Sequence, residues 1–450
     1  MKKNYLLFFT LLLTTIIHAQ IKFETSSLQD AIVKAKKENK LIFLQLESAN
    51  CDQCNQVADK AFANVILNDL KSNFIFLKAS RGSKERLEID KQFNTANAFG
   101  TLFLNKDGIL IYRYNSTTSL ADTYIEQSNI AIQRSSNTDN ISSLQTKYQS
   151  GNRNINFIEE YIIKRDELKF ATDDLLDEYV SLIPPDSLRS IRVLQFIASK
   201  APLLGSKADN VLRHDYALFS QAWNGLLLPV RININSRIIS KSKQKAIKDK
   251  DLNYLNRVAS FAKSTYNGNS FEGEKSYNHI LLDYYKQLND TANYILKAID
   301  YYDKYLMTVS LGLVNKNDSL RRMEQFKKTP IDTVNFGEGV FMKKTISFSP
   351  ATQFYANELN EGAWNLYKMS NDVAILSKAL EWCKRSLEFY SNADNIDTYA
   401  RLLYKNGNKN EAIEQEKKAI AFEKKRGFNA TELERVLERM KGNANFIDDK

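Results

Sequence analysis

Cys51 and Cys54 stand three positions apart, just after the apolar run Leu41–Leu46 and at the start of a helix-like stretch. Two thiols at that spacing can close into a disulfide and open again. A thiol at a helix start is favoured as its thiolate, because unpaired backbone N–H groups and the helix dipole stabilise negative charge there. Cys51 is the candidate nucleophile and is expected to be the more exposed of the two. Cys54, one turn in and expected to be buried, is the candidate resolving thiol that breaks a mixed disulfide. Asp52 beside Cys51 disfavours a second negative charge, which points to a reductant or mild exchanger rather than a strong oxidant. The third thiol, Cys383, falls on the packed face of a helix and reads as buried and inert.

The elements that must position this pair follow from hydrophobic period and turn residues. Ile21–Glu24 reads as a short strand, and Ser27 as the cap of a helix running to about Glu38. Leu41–Leu46 suits a buried parallel strand. Cys51 to Phe62 reads as a helix, with Ile66–Leu70 extending it or forming a second one. Phe74–Lys78 is a strand and Ser83–Phe93 a helix. Thr101–Asn105 and Ile109–Tyr114 are strands joined by the hairpin signal Lys106-Asp107-Gly108, and Ser119 to about Arg134 closes the region as a helix. The order predicts one mixed sheet with helices on both faces, an α/β domain.

That order, with Cys-x-x-Cys after the second strand, resembles the thioredoxin-like family. The closest likeness is to exported domains carrying an extra phenylalanine-containing stretch after the cysteine helix, here Lys60-Ala61-Phe62-Ala63-Asn64. The likeness covers residues 21 to about 130, and the domain is drawn at 21–134. It implies thiol–disulfide exchange on protein clients, with Cys51 and Cys54 as the catalytic pair, Gly100 and Thr101 as the substrate loop, and no cofactor.

The chain departs from the family pattern at three positions. Gln45 stands where an acidic residue helps move the proton of the second cysteine. Asn50 stands where an aromatic residue commonly precedes the first. Gly100 stands where a cis-proline precedes a Thr, in Asn97-Ala98-Phe99-Gly100-Thr101. A cis-proline fixes a rigid turn and keeps a backbone edge ready for extended substrate, whereas glycine reaches unusual angles without fixing them. Glu47, on the same strand face as Gln45, is the candidate substitute for proton transfer. Copper-delivery relatives add a distant His, but His214 and His279 lie outside the domain, so no metal is expected.

Ser135 to Asn140 reads as a polar linker, and beyond it the pattern is helical. Tyr148–Asn152 punctuates one helix pair, Pro184-Pro185 ends another stretch, and Leu281–Leu288, Asn289-Asp290, Thr291–Leu306 reads helix–turn–helix. The tyrosines Tyr277, Tyr284, Tyr285, Tyr294, Tyr301, Tyr302 and Tyr305 fall at helical spacing and read as packing core. Near the end, Tyr399, Ala400, Leu403 and Tyr404, the turn Asn406-Gly407-Asn408, then Ala412, Ile413, Ala419 and Ile420 form a unit similar to a tetratricopeptide repeat. Ala363–Tyr367 with Ala379, Leu380 and Leu387 forms a second copy in near register; Ala379 to Ala412 is 33 residues. The expected all-α region is therefore helical over 141–350 and tetratricopeptide-like over 351–450. Gly337–Gly339 and Thr345–Ser349 read as a long loop. Such arrays leave an extended surface suited to binding protein.

Composition narrows the function classes. Residues 1–20 read as a signal peptide, with Lys2 and Lys3, an apolar stretch from Tyr5 to Ile17, and Ala19 for cleavage. An exported, periplasmic or secreted protein is expected, without an integral membrane segment once the signal is removed. The net charge of +10 becomes +8 without Lys2 and Lys3, and residues 21–130 hold 14 Lys/Arg against 13 Asp/Glu. No dense basic block marks a nucleic-acid partner, and the run from Arg237 to Lys250 reads as a solvated helix face. Only three histidines occur, too few to build a His-based hydrolase or zinc enzyme. Two readings stay open. In one, the chain is an exported thiol–disulfide oxidoreductase whose helical region binds a protein client and whose pair is recycled by a redox partner. In the other, it is a non-catalytic adaptor with a degenerate thioredoxin-like domain.

Overall fold

The computed structural model describes residues 21–24, 27–48, 51–96, 98–136, 141–329, 332–336, 339–343, 348 and 350–442. The expected signal segment, part of the linker, and Asn50 and Asn97 lie outside the described residues.

The first region opens with α1, Leu28–Glu38. Ser27 and Asp30 form a reciprocal capping box, and Leu28, Ala31 and Ala35 are buried. Then come β1 (Leu41–Leu46), α2 (Asp52–Phe62), a 3₁₀ segment Val65–Ser72 capped by Asn64, β2 (Phe74–Ala79), α3 (Lys84–Phe93), β3 (Gly100–Leu104), β4 (Leu110–Tyr114) and α4 (Ala121–Ser135). The strands form one mixed sheet in the order β2-β1-β3-β4. β1 runs parallel to β2 and antiparallel to β3, and β3 is antiparallel to β4. The strand expected at Ile21–Glu24 is reduced to a single bridge between Glu24 and Leu77, because only Glu24 N–H reaches the β2 backbone, at Phe76 O. The β3–β4 turn is held by Asn105, whose side chain accepts the N–H groups of Asp107 and Ile109 at 2.9 Å.

Every residue of β1 after Leu41 is buried, as a central strand covered on both sides requires. On one side, Phe43 lies against Phe76 at 4.9 Å and Phe103 at 5.2 Å between ring centroids. Phe62 of α2 and Tyr124 of α4, 4.8 Å apart, close that layer. The aromatic core therefore pins the C-terminal end of α2, while the cysteines at its N-terminal end are only half-buried.

The chain divides into two compact units, residues 1–234 and 235–450, and the division falls within the helix Leu228–Asp249. In the first unit the sheet is joined by helices from Ile141 onward. Arg113 of β4 stacks on Phe170 at 5.4 Å, and Asn94 Nδ2 donates to Lys169 O at 3.3 Å.

Among the described residues the second unit is helical apart from a hairpin, Asp332–Phe336 paired with Gly339–Lys343, in the region read as helix and loop. Its tyrosines Tyr294, Tyr301, Tyr302 and Tyr305 are buried core, as expected, with Tyr302 stacked on Trp382 at 4.6 Å. Helices Ala351–Met369, Val373–Phe389, Ala393–Lys405, Lys409–Lys425 and Thr431–Lys441 follow in succession. Ala363, Ala379, Ala400, Ala412 and Ala419 are fully buried, so small residues sit where neighbouring helices meet. The basic run is not wholly a solvated face, since Lys243 pairs with Asp283. Among the described residues no helix is long and apolar enough to cross a membrane.

Candidate active site

Cys51 itself caps α2. Its backbone is extended, with φ −143° and ψ 86°, and its Sγ accepts the N–H of Cys54 at 3.1 Å. A sulfur thus occupies the place where Ser or Asp oxygen usually satisfies an orphan helix donor. Cys51 and Cys54 are joined by a disulfide with their Cα atoms 5.2 Å apart. Both residues are half-buried. Cys54 is therefore less buried than expected; the first buried side chain of the helix is Ala58, a turn later.

The approach to Cys51 is clamped by the residue after Cys54. Asn55 Oδ1 accepts the N–H of Ser48 at 2.8 Å, and Asn55 Nδ2 donates to Ser48 O at 3.1 Å. Both backbone groups of a buried loop residue are satisfied by one amide, which ties the end of β1 to the first turn of α2.

Beneath the site, Gln45 is buried on the face of β1 that also carries Phe43. Its Oε1 accepts from Thr101 Oγ1 at 2.8 Å, and its Nε2 donates to Leu46 O at 3.4 Å. Gln45 and Thr101 thus form one buried pair of neutral groups. Thr101 lies opposite Gln45 on one side and Tyr114 on the other, so it sits inside the sheet. Gly100 opposes Leu46 at the start of β3. Its φ is +110°, and a Cβ there would lie 2.1 Å from Tyr114 O and 2.9 Å from Ser116 N. Proline, locked near φ −65°, cannot adopt this conformation, so the backbone at this position is built for glycine.

Glu47 has both oxygens engaged: Oε1 pairs with Lys78 Nζ at 3.0 Å and Oε2 accepts Arg81 N–H at 3.2 Å. The guanidinium of Arg81 pairs with Asp52. The negative charge expected to discourage a thiolate at Cys51 is accordingly offset by a cation from the end of β2.

Arg86, in the first turn of α3, carries no signal in the sequence beyond Asp90 four residues on, a spacing common to exposed pairs. In the structure it is only 5 % exposed. Its Nη1 donates to Glu47 O, and its Nη2 donates to Ala98 O at 2.6 Å and Thr95 O at 3.4 Å. Its Nε donates to Asp90 at 2.9 Å. One guanidinium joins the strand end that leads to Cys51 with the loop that leads to Gly100.

Among the described residues no three His, Cys, Asp or Glu side chains form a group arranged to hold a metal ion. No protein-family model matches the chain, and no curated protein matches it.

Proposed function

We propose that this protein is a thioredoxin-like thiol–disulfide oxidoreductase, acting on protein clients in an export compartment. The observation that carries the reading is the disulfide Cys51–Cys54 at the start of α2, half-exposed, with Cys51 Sγ on the helix N-terminal amide of Cys54. That amide stabilises negative charge on Cys51 once the pair is reduced, so Cys51 is the attacking sulfur.

In the reducing direction, the Cys51 thiolate attacks one sulfur of a client disulfide. The client's other sulfur leaves as a thiolate and takes a proton from solvent. The Cys54 thiol loses its proton and attacks Cys51, forming the Cys51–Cys54 bond and releasing the second client thiolate, which is protonated in turn. Two electrons pass to the client, and a dithiol partner must return two to the protein. Gln45 cannot take the Cys54 proton, and both Glu47 oxygens are engaged, so solvent reaching the half-exposed Cys54 is the acceptor in this scheme. This makes for a slower exchanger than one with a buried acid. The helical regions, with their stacked pairs, are proposed to select the client.

The adaptor reading is favoured by one observation, the buried neutral Gln45–Thr101 pair at the position where the resemblance implies an acidic residue. Equilibration of the full chain in glutathione or dithiothreitol buffers, read by alkylation mass shift, separates the two. A reversible two-electron couple at roughly −270 to −120 mV supports exchange. A pair that never closes, or never opens under these buffers, overturns it.

A further inference from the structure

We infer that Arg86 is a positioning residue for protein clients, holding the two walls of the site in register; this rests on the exchange reading above. One wall is the end of β1, with Glu47 and Ser48 ahead of Cys51 in the chain. The other carries Thr95 and Ala98, ahead of Gly100. Arg86 donates to a carbonyl on the first wall, Glu47 O, and to two on the second, Thr95 O and Ala98 O. Asp90 balances its charge, and the same Asp90 oxygen accepts from Thr95 Oγ1 at 2.6 Å. Ala98 N–H donates to Thr95 O at 2.8 Å, so the two carbonyl-bearing residues are also tied to each other.

The physical need for such a brace comes from Gly100. A glycine at this corner supplies the required φ but no rigidity, so the loop before it must be fixed from outside. The planar fork of arginine suits several carbonyls at once, where the single ammonium of lysine does not. Stability alone is a poor reason to bury a guanidinium, because well-packed apolar replacements of buried ion pairs are often neutral. Holding two backbone segments at a fixed separation is a role that only a multi-donor side chain performs.

The consequence is selective. A small disulfide needs only the exposed sulfur, and it ignores the loop. A polypeptide disulfide must lie along both walls while Cys51 attacks, so its rate depends on their register. Arg86→Lys and Arg86→Met in the full chain should lower kcat/KM for insulin reduction about ten- to a hundredfold, Met more than Lys. The rate with oxidised glutathione and the midpoint potential of the pair should stay within about twofold and unchanged, respectively. Far-UV circular dichroism and the melting temperature check that each variant folds, and the Lys variant carries the test if Met does not. Equal losses with insulin and glutathione disulfide, or no loss with either, overturn the role of Arg86 while leaving exchange intact. A wild-type protein inert to both substrates overturns the exchange reading and this inference with it.

Discussion

Cys51 and Cys383 are the same residue in opposite settings. Cys51 begins a helix, half-exposed, with its sulfur on a backbone amide. Cys383 lies mid-helix in Val373–Phe389, wholly buried, its Sγ 3.5 Å from Asn395 O and 3.6 Å from Asn360 Oδ1. Burial pushes the Cys383 thiol far above its usual range, so it stays protonated. The contrast extends to the regions around them. At the sheet, polar side chains such as buried Gln45 and Arg86 and half-buried Asn55 are spent on fixed partners. In the helical unit, Cys383 is sealed among packed helices, and its charge is suppressed instead. Reactivity here is decided by position on the helix and access to water, not by residue type.

The comparison breaks most sharply if the wrong sulfur reacts. Cys51→Ser should reduce disulfide exchange to the solution background, while Cys383→Ser should leave it unchanged, in an insulin-reduction assay. In the reduced native protein, iodoacetamide should label Cys51 at least about a hundredfold faster than Cys383, which should react only on unfolding. Labelling of Cys383 at a comparable rate would show that the helical unit does not seal its thiol.

Two glycines extend the contrast to the backbone. Both have positive φ, but a Cβ at Gly100 would strike Tyr114 O, whereas nothing lies within 4 Å of one at Gly407. Gly100→Ala should destabilise its unit by about 3 kcal/mol or more in urea unfolding, from steric conflict added to strain. Gly407→Ala should cost only about 1 kcal/mol, the strain alone. Similar costs at both sites would mean that the corner at Gly100 relaxes freely.

The subtlest difference is in pH response. Glu416 is fully buried against Asp397, and Arg401 Nε donates to both Asp397 oxygens at 2.8 and 3.0 Å. Burial raises both carboxyls of this pair, and burial with the neighbouring Asp397 pushes Glu416 up to about 9. The sign follows directly. In the unfolded chain Glu416 ionises near its ordinary value of 4.5, so stability is fully present below that pH. It falls as pH rises, because the unfolded state sheds a proton that the folded state retains, and the loss is complete near pH 9. Glu416→Gln should flatten the decline in melting temperature between pH 5 and 9 for the helical unit. An unchanged slope would place the titration elsewhere.

Much of the sheet region was legible because its signals are local. Apolar runs of strand length, the Ser27 cap, and Asn105-Lys106-Asp107-Gly108 each act over a few residues, and all found their places. The strand at Ile21–Glu24 did not, since pairing depends on how close the next backbone lies. The hairpin at Asp332–Lys343 was missed because its glycines read equally well as a loop. In the helical unit, periodic small residues located the helix contacts, as the burial of Ala379 and Ala412 shows.

The sequence alone determined where the chemistry sits. Two cysteines three apart at a helix start, after a buried strand, specify a dithiol site whatever surrounds it, because the spacing itself brings the sulfurs together. Only the tertiary structure decided what frames that site. Arg86 and Asp90 show the spacing of an exposed pair, yet the guanidinium is buried on the carbonyls of Glu47, Thr95 and Ala98. Glu47 and Asp52, candidates to act on the cysteines, are claimed by Lys78 and Arg81. Backbone carbonyls carry no residue identity, and ion-pair partners distant in sequence meet only when the chain has folded.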